Sequence, residues 1–116
     1  MILSSVPERT LMAALLTLAV TRWDAQAVLL PEGPGIRITI FGDWFPIRAV
    51  EPEILIGEMT ATRVEVARNL RSIHGYLLKA PKDGTRIVVR YGDSQEGILG
   101  EPFDGRKIRP LPEECR

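Results

Sequence analysis

With 116 residues the chain fits one domain, whose core at this size needs no disulfide or metal for stability. Hydrophobic residues make up 45% of the chain and charged residues 26%, a composition typical of a soluble globular protein. Fifteen basic residues balance fifteen acidic ones, which gives no electrostatic reason to expect a nucleic acid or an anionic membrane as partner and makes self-association easier.

The first predicted element is a helix from about Val6 to Leu30. Residues 5–8 have the pattern of a capping box, and the proline- and glycine-rich stretch 31–35 ends the helix. Apolar residues cover most of its circumference, and a domain of this size has little material to cover them. We therefore expect a second subunit to bury part of this helix, with Leu16 and Trp23 in the interface.

The same segment has features of a secretion signal. Residues 11–20 form an apolar run, and residues 25–27 have the small-x-small pattern of a signal-peptidase site. The run is shorter than the roughly 20 residues that span a bilayer. A secretion signal usually carries a net positive charge before its apolar run. Glu8 removes that net charge here, which argues against a signal. We expect a cytoplasmic protein with no membrane span, and secretion with cleavage after Ala27 is the alternative.

Three strands are expected after the first helix. Residues 36–40 alternate isoleucine with polar residues, which is the period-two pattern of a strand with one buried face. A Gly-Asp turn at residues 42–43 predicts a hairpin in which residues 44–50 return beside the first strand. Residues 54–58 form the short third strand. Trp44 and Phe45 are adjacent, so their rings should point to opposite faces.

One of these two rings lies away from the core unless something covers it. Exposed aromatic side chains are enriched at protein interfaces. Trp44 and Phe45 are therefore interface candidates, and the alternative is that the C-terminal tail folds over the exposed ring.

A second helix is predicted from residue 62, where residues 62–65 repeat the capping-box pattern. An apolar stripe at helical spacing follows, made of Val66, Leu70, Ile73 and Leu77. His74 lies at the edge of this stripe and is a candidate pocket residue. Because the chain has one histidine and one cysteine, we predict no metal site and no cofactor.

The pattern of residues 85–99 predicts two more strands. Residues 85–91 form a strand, a turn follows over residues 92–97, and the chain returns weakly at residues 98–99. The tail from residue 100 should be largely irregular, with one short edge strand around residues 107–108.

A phrase of the form Gly-x-Arg-Ile to Gly-Asp occurs twice, in residues 35–43 and 84–93. The two copies are either a duplicated helix-strand-strand unit or two independent uses of a common strand-and-turn pattern. The resulting prediction is a single α+β domain over residues 1–116. Two helices pack on one face of a mixed, mostly antiparallel sheet of four to five strands, in the order αβββαββ.

The order helix, three strands, helix, strand resembles the core of the PD-(D/E)xK nuclease superfamily. That resemblance implies acidic residues on the second and third strands that bind magnesium beside a lysine. Asp43 and Glu58 would be the acids here, and Thr60 stands where the lysine is expected. A metal-dependent phosphodiesterase or nuclease is therefore the alternative function.

The first hypothesis is a small non-enzymatic module that self-associates, as a dimer, and binds another protein or a small molecule. No catalytic residue is assigned under this hypothesis, and no nucleic acid partner is evident.

Overall fold

The structure, a computed structural model, describes residues 16–47, 50–93 and 95–112. These residues form ten β-strands and one short 3₁₀-helix. The strands are β1 (Leu16–Thr17), β2 (Val20–Leu30), β3 (Gly33–Gly42), β4 (Glu53–Ile56), β5 (Met59–Thr60), β6 (Thr62–Val66), β7 (Ser72–Leu77), β8 (Ile87–Tyr91), β9 (Gln95–Ile98) and β10 (Ile108–Arg109). The 3₁₀-helix spans Gly105–Lys107.

The strands form two five-stranded sheets. Sheet 1 has the order β1-β9-β8-β4-β5, and sheet 2 has the order β10-β2-β3-β7-β6. Neighbouring strands are antiparallel except at β1 and β10, which pair in parallel with β9 and β2. The two sheets face each other across one core: a Cβ atom added at Gly75 of sheet 2 would lie 3.4 Å from Cδ1 of Ile54 in sheet 1. The architecture is a β-sandwich.

The predicted α+β fold, with two helices on one sheet in the order αβββαββ, is wrong. The described part of the chain contains no α-helix, and so no helix there is long and apolar enough to cross a membrane. Residues 1–15, the first part of the predicted first helix, lie outside the described residues. The rest of that helix is β1 and β2, and the second helix is β6 and β7.

Strand β2 forms because its apolar residues also fit a period of two. Trp23 and Ala25 are buried and alternate with the less buried Asp24 and Gln26. The strand pairs antiparallel with β3 from Val20 to Leu30, with one irregularity near its start. Backbone pairing of this length outweighs a local helical preference, which is worth at most about 0.7 kcal/mol for an ordinary residue.

Strands β6 and β7 replace the second predicted helix for a similar reason. Residues 62–66 alternate along an edge strand, and the chain reverses at residues 67–71, where Leu70 has a φ of 61°. Ile73 and Leu77 are buried, as the helical stripe predicted, but Gly75 between them is buried on the same side. A Cβ at Gly75 would lie 2.8 Å from Cβ of Ala61, so the close approach of the chain requires glycine here.

The predicted hairpin at residues 42–43 is also absent. After β3 the chain leaves sheet 2 and crosses to β4 in sheet 1, and residues 44–47 and 50 belong to no strand. The second Gly-Asp pair, at residues 92–93, does form the turn between β8 and β9. The two copies of the repeated phrase therefore lie in different sheets, as β3 and β8.

The tail covers one side of the core. Phe103 is buried and stacks on Trp23 with 5.3 Å between ring centroids and 18° between planes. The indole N–H of Trp23 donates to the carbonyl oxygen of Glu101 at 3.1 Å. The 3₁₀-helix and β10 follow, and the other described residues after residue 99 belong to no helix or strand.

Candidate functional site

The two candidate metal-binding acids lie at opposite ends of the sandwich. Asp43 follows β3, and its backbone N–H donates to the carbonyl oxygen of Ala19 at 3.0 Å. Glu58 lies in the turn after β4, in a cleft also lined by Lys82 and Thr85. Strand β4 runs between the two ends, and its four residues span about 13 Å. The structure does not bring Asp43 and Glu58 together.

Among the described residues, no three His, Cys, Asp or Glu side chains lie close enough to hold a metal ion. The described residues also form none of the helices on which the resemblance to PD-(D/E)xK nucleases was based. The geometry therefore gives Asp43 and Glu58 no common site.

Of the three predicted interface residues whose side chains the structure describes, one is exposed. Trp23 and Phe45 are 2% and 0% exposed and belong to the core. Leu16 begins β1, and its side chain lies outside the described part of the structure. Trp44 is 57% exposed. Of the pair Trp44 and Phe45, it is therefore Trp44 that faces solvent.

Trp44 belongs to an exposed apolar surface that we call the tip patch, made of Trp44, Ile47 and Val50. Ile47 is 79% exposed and Val50 54% exposed. All three lie in the segment that crosses from β3 to β4. The base of this segment is held by Phe45, which is buried and whose backbone N–H donates to the carbonyl oxygen of Leu70 at 2.7 Å.

The tip patch has a rim with charges of both signs. The exposed acids next to it in the chain are Asp43 and Glu51. The β8–β9 turn, which carries Asp93, adjoins the patch, since Val50 Cγ1 would lie 3.2 Å from a Cβ at Gly92. Arg68 and Arg71, also exposed, lie in the β6–β7 turn, which is hydrogen-bonded to the base of the patch segment.

His74 lies on the outer face of sheet 2, which points away from the core. Its Nε2 atom is 3.5 Å from Oε1 of Glu65, and its ring meets the ring of Tyr76 edge-on at 5.7 Å. Its direct cross-strand neighbour on β3 is Thr39. His74 is therefore a surface residue. Its neighbours Glu65 and Tyr76 line a groove on this face of the sheet, but His74 itself does not line the groove.

The groove is the second surface of interest, and the sequence analysis missed it. It has a volume of about 590 Å³ and runs across the outer face of sheet 2 near the β2–β3 turn. Its lining includes Val28 and Leu30 from β2, Arg37 from β3, Tyr76 from β7 and Glu65 from β6. The sequence feature that points to the groove is Arg37. In the isoleucine-rich strand, however, Arg37 has the position of an ordinary outward-facing polar residue.

One wall of the groove is an irregular part of β6. The pairing of β6 with β7 shifts between Thr62 and Glu65, and Arg63 there has a φ of 52°. For a non-glycine residue this conformation costs about 1–2 kcal/mol. Arg63 pairs with Glu32 of the β2–β3 turn at 2.6 Å, but both side chains are about half exposed, so the pair returns less than about 1 kcal/mol.

Stability therefore does not account for the bulge in β6. Bulges of this kind are enriched beside binding sites, where they redirect side chains. Here the bulge directs Arg63 toward Glu32 in the β2–β3 turn, which follows the end of β2 that lines the groove.

Comparisons of the chain with protein-family models, with curated proteins and with solved structures find no match. The tip patch and the groove are therefore the two surfaces that bear on function. The two surfaces lie at opposite ends of sheet 2, because β3 begins beside the groove and ends beside the tip patch.

Proposed function

We propose that this chain is a binding module that pairs with a second copy of itself through the tip patch. The observation that carries the proposal is the exposure of Trp44, Ile47 and Val50 within seven positions of one segment. A large exposed aromatic ring and two exposed aliphatic side chains in one short segment are typical of a protein interface.

A preformed patch supports this proposal. Backbone hydrogen bonds from Asp43 to Ala19 and from Phe45 to Leu70 hold the start of the segment against the sandwich. The burial of the Phe45 ring anchors it further. Because part of the segment is already ordered, pairing costs less conformational entropy than ordering a free loop would.

The charges around the patch favour a second copy over a membrane. In a two-fold dimer each patch faces the same patch of its partner, so a rim with charges of both signs can pair with itself. An anionic lipid surface would instead meet the carboxylates of Asp43, Glu51 and Asp93. The zero net charge of the chain adds no long-range repulsion between copies.

The test is the concentration dependence of mass, measured by sedimentation velocity or multi-angle light scattering. The wild-type chain should form a dimer as its concentration rises, and Ile47→Asp should remain a monomer. Leu78→Ser is the matched control, because Leu78 is as exposed as Trp44 but lies after β7, at the opposite end of sheet 2. It should form dimers as the wild type does.

Fluorescence quenching locates the interface independently. Trp23 is buried, so a collisional quencher in dilute solution reaches mainly Trp44. The quenching of wild-type fluorescence should fall as the dimer forms. A wild-type chain that stays monomeric at high concentration, or a Leu78→Ser variant that loses the dimer as Ile47→Asp does, would contradict the proposal.

The alternative of a metal-dependent nuclease draws no support from the separation of Asp43 and Glu58.

A further inference from the structure

The groove on the outer face of sheet 2 has the size of a small-molecule site. Its volume of about 590 Å³ lies within the range of about 300–1,000 Å³ that is usual for such sites. Its lining comes from β2, β3, β7 and β6, which are four neighbouring strands. Three strand spacings give it a length of about 14 Å across the sheet.

The two walls of the groove are joined to each other. Arg63, on the bulge of β6, pairs with Glu32 in the turn between β2 and β3. In this ion pair the charges of Arg63 and Glu32 neutralise each other. Glu65, the other acid at the groove, lies within 3.5 Å of His74.

Arg37 is the second cation of the groove, and unlike Arg63 it has no acidic partner among the described residues. It is half-buried, and its direct cross-strand neighbours are Gln26 on β2 and Tyr76 on β7, neither of which carries a negative charge. Within the described ranges no carboxylate lies within 4.0 Å of its guanidinium. An arginine cannot lose its charge by deprotonation, so a partly desolvated guanidinium is stabilised by an anion.

The rest of the lining is apolar or aromatic near Arg37. Val28 and Leu30 of β2, Val64 of β6 and the ring of Tyr76 contribute apolar surface. Leu30 lies close over Gly35, so its side chain covers the backbone of β3 beside Arg37. A ligand that fits this surface carries an apolar chain or ring as well as an anionic group.

We infer that the groove binds a small monocarboxylic acid, with its carboxylate on the Arg37 guanidinium and its apolar part against Val28, Leu30 and Tyr76. A planar guanidinium matches a carboxylate with two parallel hydrogen bonds. The charges of the lining distinguish between anions: Arg37 is the one cation there without an acidic partner, and Glu65 adds a negative charge, so a singly charged anion fits better than a doubly charged one. A phosphate monoester, with close to two charges, would leave one of them unbalanced near Glu65.

The experiment is an NMR titration of the isotope-labelled chain, with octanoate as the probe. Octanoate has one negative charge and an apolar chain, 1-octanol has the chain without the charge, and acetate has the charge without the chain. Octanoate should shift the backbone amide signals of residues 28–30, 37, 63–65 and 76 in a saturable way. Acetate and 1-octanol should bind at least tenfold more weakly than octanoate.

A pair of arginine variants tests the assigned cation. Arg37→Gln should weaken octanoate binding at least tenfold, and Arg37→Lys should recover part of the loss. Arg86→Gln is the control, because Arg86 is exposed and lies just before β8 in the other sheet. Its affinity for octanoate should equal that of the wild type.

Three results would overturn the inference. Octanoate could fail to produce saturable shifts at the groove, 1-octanol could bind as tightly as octanoate, or Arg37→Gln could bind octanoate as the wild type does. The comparison of octanoate with 1-octanol needs no variant, so it stands even if Arg37→Gln does not fold. The tip patch lies at the other end of the sheet, so loss of dimer formation and loss of octanoate binding are separate results.

Discussion

Replacing Trp23 tests whether its ring belongs to the core of one chain or to an interface between chains. Its indole is 2% exposed, stacks on Phe103 and donates to the carbonyl oxygen of Glu101. Lys107 Nζ lies 4.5 Å from its ring centroid. Trp23→Ala removes these contacts and leaves a cavity, so the free energy of unfolding should fall by about 4 kcal/mol.

Trp23→Phe is a smaller change, and the free energy of unfolding that it removes can be added up from the individual contacts. Trp23→Phe keeps a ring against Phe103 but loses the hydrogen bond, worth about 1 kcal/mol, and leaves the Glu101 carbonyl without its partner. The weaker contact with Lys107 adds about 0.5 kcal/mol. Trp23→Phe should therefore cost about 1–2 kcal/mol, at most half the cost of Trp23→Ala.

The assay is urea unfolding followed by far-ultraviolet circular dichroism, in solution dilute enough for a monomer. With an m-value of about 1.5 kcal/mol/M, a loss of 4 kcal/mol lowers the midpoint by about 2.7 M. Trp44→Ala is the matched control, because the exposed indole of Trp44 should cost less than about 1 kcal/mol. Equal shifts for Trp23→Ala and Trp44→Ala would refute the placement of Trp23 in the core.

Two further substitutions test the packing of the sheets and the tail. Gly75→Ala places a methyl group 2.8 Å from Cβ of Ala61 and should cost about 1–3 kcal/mol in thermal unfolding. Gly100→Ala, with open space around the added atom, should cost less than about 0.5 kcal/mol, and equal costs would contradict the close contact. Hydrogen bonds from the side chain and backbone N–H of Arg106 lower the pKa of Asp104 below its ordinary 3.8. Asp104 therefore stabilises the fold at neutral pH, and this contribution is lost as the pH falls through its folded-state pKa. Asp104→Asn should be less stable than wild type at pH 7 and approach it in acid; a pH-independent difference in urea unfolding would contradict this.

Several strands could be predicted from the sequence because their pattern is local. Residues 36–40 alternate isoleucine with polar residues and lie in β3, and the predicted strand at 85–91 contains β8. The short strand expected near residues 107–108 is β10 at Ile108–Arg109. In residues 36–40 a period of two was the only regular pattern available.

The two helices were predicted wrongly because their apolar residues fit both periods. Val66, Leu70, Ile73 and Leu77 have helical spacing, yet the last two are also separated by an even number of positions, as in a strand. What distinguishes the structures is pairing with distant residues, such as Gly75 opposite Ile38 on β3. That information is not contained in a short window of sequence.

The candidate sites depend on the same distant pairing. The exposure of one of the rings of Trp44 and Phe45 could be predicted, because adjacent residues in an extended chain face opposite ways, but which of the two is exposed could not. Arg37 could not be identified, because its groove forms only when β2, β3, β7 and β6 lie side by side. Asp43 and Glu58 were paired through a topology that the chain does not adopt.

The covering of Trp23 by the tail has a consequence for the order of folding during synthesis. Its hydrogen-bond partner, Glu101, lies 78 residues later in the chain, and Gln26 bonds to Arg109, 83 residues later. Contacts between such distant positions form slowly, because a long loop must close first. A ribosome-bound chain can pair β2 with β3 early, yet it exposes Trp23 until residues 101–109 emerge. Until then this indole should be a site of chaperone binding and aggregation in the nascent protein.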